Sequence, residues 1–334
     1  MSFFQLHPRA TIHVRHNGDI QLGTNPQTAV IVRGLTRDTL RCIDGHHDID
    51  QLAALSQTST KEIADLLHTL HDAGLVIEPV SHSELPLLAT HERRSLLREA
   101  QKIDIASRLE TMIYIHGLNR LGVLIGSLLR EAGFPHLRFV DERPVTHNDV
   151  QVWGFGRIDV GQRRDRTLTL MHESISEGSL HKQIHPRVTV PCDLHIVVND
   201  QQSDWAVLNP NSVEKFLSSG QAHMLIGYGD TQAIMSPILT SHTHGCARCY
   251  FHSLVDRDSS WPLIFDNVTH QDICDRAPIG LLLDTAIDVG QRVSNYFSKI
   301  EDDTLLTVNW PSRERLRSTW IAHPACGCQW DSMI

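Results

Sequence analysis

No stretch of the sequence approaches the roughly 18–20 consecutive apolar residues that a membrane helix needs, and Met1-Ser2-Phe3-Phe4-Gln5 lacks the basic start of a secretory signal. No membrane partner and a cytoplasmic location are expected. Massed basic charge is missing too: 30 Lys and Arg stand against 39 Asp and Glu, a net charge of -9. Affinity for a phosphate backbone comes from clustered cations, so nucleic acid is not an expected partner. Neither an internal repeat nor a low-complexity tract is present, which excludes a solenoid. What remains is an ordinary globular composition, 41% hydrophobic and 21% charged, over 334 residues, a length that calls for two cores.

Cysteine is sparse and odd in number, at seven. Four of these residues fall in two tight pairs, Cys246-Ala247-Arg248-Cys249 and Cys326-Gly327-Cys328. Such spacing suits thiolates closing a tetrahedral zinc site better than it suits disulfides, with free thiols as the plain alternative. Four sulfur ligands leave no position for water, so a zinc held by Cys246, Cys249, Cys326 and Cys328 is structural and would fasten the chain's end to the sheet. Cys42, Cys192 and Cys274 are expected to be buried apolar fillers. The 22 His are scattered without ligand spacing, and none is assigned a metal or catalytic role.

The first 80 residues alternate in a definite order. β-prone pieces between Ala10 and Leu22 flank Asn17-Gly18, a hairpin signal, and Ala29-Val30-Ile31-Val32 predicts a third strand. Helical patterns follow near Thr36–Ile43 and Ile49–Leu55. A clearer helix is capped by Ser59 or Thr60, boxed by Glu62, striped by Ile63, Leu66, Leu67 and Leu70, and ended by Gly74. Leu75-Val76-Ile77-Glu78 closes the unit as a strand, which gives a winged-helix outline. A linker is expected over Pro79–Pro86 and a helix over Ala89–Ala106.

Beyond it the pattern is α/β. Met112-Ile113-Tyr114-Ile115 reads as a buried strand, Gly117 to Gly122 as a turn, Leu121–Ala132 as a helix and Leu137–Asp141 as a second strand. That is half of a nucleotide-binding fold, with Gly117, Gly122 and Asp141 as its candidate cofactor residues; Asp141 stands at about the ribose-binding distance. Asn119 and Arg120 replace the small residues that let a backbone approach pyrophosphate, so their side chains are expected to obstruct phosphate and the site to be vestigial. Further strands are expected at Leu194–Val198, Met224–Gly227, Leu305–Val308 and Trp320–Ala322. Helices are expected from a cap at Asn211 or Ser212 to Ser218, and over Leu281–Ile300.

Five segments carry a family likeness: the Gly117–Gly122 turn; Asp159-Val160-Gly161 with Arg163-Arg164; Cys246–Cys249 running into Asp256-Arg257-Asp258; Trp261-Pro262; and His323-Pro324-Ala325-Cys326-Gly327-Cys328. With them the chain resembles the ThiF-like, ubiquitin-activating-enzyme-like proteins of thiazole/oxazole-modified peptide clusters, and residues 1–80 resemble their PqqD-like recognition domain. The resemblance implies a Rossmann-like ThiF-type domain over residues 111–334, joined through residues 81–110 to a leader-binding domain. It implies capture of a ribosomal precursor's leader as an added strand along Ala29, Val30, Ile31, Val32 and Arg33. Lys61, Ala64, Asp65 and His68 of the capped helix would form the groove's other wall.

In that reading the chain has no catalytic residue of its own. It presents the precursor to a YcaO-type cyclodehydratase, which binds the ATP and forms azolines, as in bacteriocin biosynthesis. A flavin-dependent azoline dehydrogenase is a further partner, and a homodimer is compatible. Two other readings stand beside it: an ATP-dependent enzyme adenylating the carboxyl terminus of a peptide or carrier protein, with Asp141 on the ribose, and a winged-helix regulator with an attached zinc domain.

Overall fold

The computed structural model describes residues 3–7, 10–77, 108, 110–174, 192–200, 205–241, 245–269 and 275–328. The expected linker over 79–86, the expected helix over 89–106 and Cys274 lie outside them. The chain divides into two compact units, Met1–Ile105 and Ala106–Ile334. Among the described residues no helix is long and apolar enough to cross a membrane.

The first unit opens with β1 (Gln5–Leu6); β2 (Ile12–Val14), β3 (Ile20–Leu22) and β4 (Val30–Val32) then form an antiparallel meander of their own in that order. Gly18 makes the first turn at φ +86°, the left-handed region that Asn-Gly turns require. Three helices follow: α1 (Arg37–Arg41), α2 (Ile49–Ser56) and α3 (Thr60–Asp72), capped by Thr36, Asp48 and Ser59. At α3 the box is reciprocal: Ser59 Oγ accepts the Glu62 N–H at 3.2 Å and Glu62 Oε2 accepts the Ser59 N–H at 3.1 Å. Leu22, Leu40, Leu52, Leu67 and Leu70 form the small core.

The closing strand β5 (Val76–Ile77) pairs antiparallel with β1, which the sequence reading lacks, and does not extend the meander. A strand of two residues carries no legible periodicity.

The second unit is built on one sheet of seven strands in the order β12-β11-β10-β9-β8-β6-β7. Its elements are β6 (Met112–His116), α4 (Arg120–Glu131), β7 (His136–Val140), α5 (Arg164–Ser174), β8 (Leu194–Val198), α6 (Glu214–Ser219), β9 (His223–Tyr228), β10 (Gln232–Met235), α7 (Ala247–Arg257), α8 (Trp261–Thr269), α9 (Ile279–Phe297), β11 (Thr304–Asn309) and β12 (Arg315–Thr319). The four strands β7, β6, β8 and β9 are parallel, and β10 to β12 continue the sheet antiparallel. Ile113, Ile115, Leu194, Ile196, Met224 and Ile226 meet the apolar faces of α4 and α9 in the main core.

Several expected boundaries shift. α9 stops at Phe297, three residues before the expected end, because Lys299 turns left-handed at φ +58° and Ile300 N–H closes back on Asn295 O at 2.9 Å. The helix expected to be capped by Asn211 or Ser212 is instead a single tight turn over Pro210–Val213, capped by Asn209, that leads into α6. The last strand is Arg315–Thr319, not Trp320–Ala322. Among the described residues it is a solvent-exposed edge whose charges guard it, while buried Trp320 follows it with its backbone N–H on Asp303 O at 3.1 Å. Cys42 and Cys192 are only partly buried, a correction to their reading as core fillers. The Cys192 thiol lies 3.2 Å from Leu194 O, and burial pushes its pKa up to about 11.

Candidate functional site

β6 ends in the turn that starts α4. A Cβ on Gly117 would lie 2.1 Å from Val198 O, and one on Gly122 would lie 2.0 Å from Gly117 O. Both glycines therefore let the turn press on β8 and the helix press on the turn. Between them stand Asn119 and Arg120, the two residues expected to obstruct phosphate. Buried Asn119 is the N-cap of α4. Its Oδ1 accepts the Gly122 N–H at 3.0 Å, and its Nδ2 donates to Asn199 O and Asp200 Oδ1, both at 3.1 Å. Arg120 extends sideways, its Nη1 donating to Asp275 Oδ1 at 3.2 Å and Ala277 O at 3.0 Å.

Asp141, one residue beyond β7, is buried. Its Oδ2 accepts the Leu118 N–H at 2.9 Å, Arg143 Nη2 at 2.7 Å and Arg164 Nη1 at 3.2 Å, while Oδ1 accepts Arg143 Nε at 2.8 Å. Burial raises the Asp141 carboxyl, but the Arg143 hydrogen bonds, the Leu118 N–H and the two guanidinium charges carry it below the usual carboxylate value. Arg143 also pairs with Asp200, and Arg164 donates to Asp149 Oδ2 at 2.7 Å. Of the Arg163-Arg164 pair only Arg164 turns inward; Arg163 pairs outward with Glu142 and Asp165.

The carboxyl ends of β6, β7 and β8 thus gather a helix N-terminus, a carboxylate and guanidinium groups. In chemical terms, helix N–H groups and guanidiniums suit an anion and a carboxylate suits a hydroxyl. Sequence reasoning singled out Gly117, Gly122 and Asp141 and did not single out Arg143, Asp200 or Asp275. Arg143 alone stood close enough to Asp141 in sequence to be noticed.

The two cysteine pairs converge. Cys246 Sγ lies 3.8 Å from Cys249 Sγ and 3.5 Å from Cys326 Sγ, and Cys249 Sγ lies 3.4 Å from Cys328 Sγ, with all four sulfurs within 4.8 Å of one another. A tetrahedron with zinc–sulfur bonds of about 2.3 Å has edges of about 3.8 Å, so the cluster has the size and donor set to hold a metal ion. Cys246 caps α7, and its N–H points at Cys249 Sγ at 3.4 Å. Beside it His323 Nδ1 accepts the Ala325 N–H at 3.2 Å, so Nε2 carries the proton donated to Asp256 Oδ2 at 2.7 Å.

In the first unit β4 is a sheet edge among the described residues. Bonded pairs at Gly23/Thr11 and Arg15/Asp19 fix the alternation of the meander, so Ile20 and Leu22 bond toward β4 and Ile31, between their partners, directs its N–H and C=O outward. Its side chain is exposed, as is Arg33, while Ala29 and Val30 are half-buried and Val32 is buried. On α3, Lys61, Asp65 and His68 are exposed and Ala64 is half-buried, opposite the inward Ile63, Leu67 and Leu70.

A row of histidines went unseen in the sequence. His116 Nε2 lies 3.0 Å from His195 Nδ1, and His195 stacks on Phe216 at 4.0 Å. Burial, together with His195 and the Lys215 charge, draws His116 down to about 3, and burial draws His195 down to about 4. Only the pairing of β6 with β8 brings them together.

The sequence matches no family model and no curated protein. Solved structures do resemble the fold. The Microcin C7 biosynthetic enzyme MccB in complex with N-formylated MccA aligns at TM-score 0.61 with 14% identity, over 97% of this chain and 99% of that chain. E. coli MccB with ATP aligns at 0.61 with 14% identity over 98% and 99%. PaaA aligns at 0.56 with 14% identity over 93% and 98%. At these identities the likeness shows a shared α/β fold along nearly the whole chain, with a mixed seven-stranded sheet in the second unit.

Proposed function

We propose that the chain is an ATP-dependent enzyme that adenylates the carboxyl terminus of a ribosomally made peptide, captured in part on its N-terminal unit. The observation that carries this reading is the site between Gly117 and Asp141. Asn119 caps the start of α4 while its amide turns to Asn199 and Asp200, Arg120 extends to Asp275 and Ala277, and Asp141 and Arg143 would be the groups that meet a nucleotide's ribose and phosphates. Support comes also from the full-length likeness to MccB structures that hold ATP or MccA. In the reaction an oxygen of the peptide carboxylate bonds to the α-phosphorus, the α–β bridging bond breaks, and pyrophosphate leaves with its electron pair. Guanidinium groups oppose the charge that develops on the phosphates.

Edge strand β4 would take the leader by strand addition beside Lys61, Ala64, Asp65 and His68. The four cysteines would hold zinc as a structural ion, away from the reaction. The test is ATP–pyrophosphate exchange driven by the precursor peptide. Exchange above background, lost in Arg143→Ala, is expected; leader binding without ATP binding or exchange would replace this reading.

A second reading, a recognition subunit that presents its peptide to a YcaO-type cyclodehydratase, is favoured by one observation. Asp141 is already occupied by Leu118 N–H, Arg143 and Arg164, so a ribose must compete for it.

A further inference from the structure

Arg120 stands apart from the cations around Asp141. Its side chain reaches from the start of α4 to Asp275, the carboxylate that also takes the hydroxyl of Tyr228 at the end of β9. There Nη1 is held by Asp275 Oδ1 at 3.2 Å and by Ala277 O at 3.0 Å. Asp275 is itself fixed: Tyr228 Oη donates to its Oδ2 at 2.9 Å and the Ala277 N–H to its Oδ1 at 3.1 Å. The backbone of Arg120 is held as well, its carbonyl accepting Gln151 Nε2 at 3.1 Å.

With Nη1 engaged, Nε and Nη2 have no protein acceptor among the described residues. Neither is a sealed, orphaned atom, in contrast to Arg164 Nε. The Nε–Nη2 edge of a guanidinium is a planar two-donor fork matched to a carboxylate. An arginine fixed at one end and open along that edge is preorganised for an oxyanion.

Resting on the adenylation reading, we propose that the Nε–Nη2 edge of Arg120 binds the terminal carboxylate of the peptide substrate, with Asp275 and Tyr228 as positioning residues. Arg143 and Arg164 cluster at Asp141 on the β7 side, the ribose side of the turn. Arg120 bonds instead to Asp275 and Ala277, which leaves it for the second substrate. The carboxylate is thereby brought to the start of α4 with its charge balanced before it meets the phosphate.

The experiment uses the full chain and short random-sequence peptides, prepared both as free acids and as carboxamides. Equilibrium binding of both forms, ATP binding by calorimetry, and peptide-dependent ATP–pyrophosphate exchange are measured for the wild type, Arg120→Gln, Arg120→Lys and Asp275→Asn. Expected are a wild-type preference for the free acids of about tenfold or more and its loss in Arg120→Gln. Arg120→Lys should recover part of the preference, Asp275→Asn should weaken it, and the Kd for ATP should stay within about twofold throughout. An ATP Kd that rises with the peptide KM, or a preference that survives Arg120→Gln, overturns the assignment. Free-acid preference that depends on Arg120 in a protein without exchange activity would keep the carboxylate site and remove adenylation. Exchange with an unchanged peptide KM in Arg120→Gln would do the reverse.

Discussion

Asn119 Oδ1 accepts the N–H of Gly122 at 3.0 Å, so the residue that breaks the small-residue pattern of the turn caps the helix behind it. The departure from the usual glycine spacing is thus a local exchange of backbone freedom for a side-chain cap. Asn119→Ala should cost about 1–2 kcal/mol, because it removes the cap and leaves Asn199 O without the amide that reaches it. Urea unfolding of the purified chain measures it, and an unchanged midpoint would mean that the cap is idle.

Gly122→Ala probes the same turn from the other side. A Cβ there would sit 2.0 Å from Gly117 O, a backbone atom that cannot rotate away. Helix propensity alone predicts a gain of up to about 1 kcal/mol for Gly to Ala in a helix. The clash predicts a net loss of about 2 kcal/mol or more. The sign of the change in the unfolding midpoint therefore decides between the two effects.

The four-cysteine cluster makes a prediction of composition. Freshly purified protein should carry zinc, and Cys246→Ser or a strong chelator should remove it and lower the melting temperature of the second unit. Cys246 and Cys326 come from segments 80 residues apart, so the ion would close a long loop. Elemental analysis beside thermal melts tests both halves, and metal-free protein of unchanged stability would leave four plain thiols.

The histidine row gives the protein an acid limit. His116 and His195 are held near 3 and 4 in the folded protein, below the value of about 6.5 expected in the unfolded chain. Below about pH 6.5 the unfolded state takes up protons that the native state refuses, so stability falls as the pH drops toward 4 and is fully present above 6.5. Each such histidine contributes up to about 1.4 kcal/mol per pH unit in that window. His195→Gln should flatten the pH dependence of unfolding between about pH 4 and 6.5, and an unaltered slope would place the acid limit elsewhere.

How much of this was legible follows from where each residue's partners lie. β6 and β8 were readable because parallel strands buried on both faces are continuous apolar runs, and α3 because its cap and stripe are local. β12 was not, because an edge strand of Arg315, Leu316 and Arg317 owes its place to pairing with β11 rather than to burial. In the site, Gly117, Gly122 and Asp141 lie within one strand–turn–helix–strand unit and could be read as a pattern. Arg120 and Asp275 are separated by 155 positions and meet only through the sheet order, which no local window contains.

The outward register of Ile31 gives the sharpest test of the first unit. Because Ile20 and Leu22 bond to Val32 and Val30, the Ile31 N–H does no work in the meander. Ile31→Pro should therefore leave the fold intact, since an edge strand tolerates proline where its N–H faces away from the ladder. An added peptide strand would lose a donor at its centre and meet the pyrrolidine ring, and leader affinity should fall by about tenfold or more. Fluorescence polarisation of labelled leader peptide, with circular dichroism of the same samples, separates the two effects. A folded Ile31→Pro protein that binds leader as tightly as the wild type would move the peptide away from β4, whereas proline at buried Val32, whose N–H bonds inward, should unfold the unit itself.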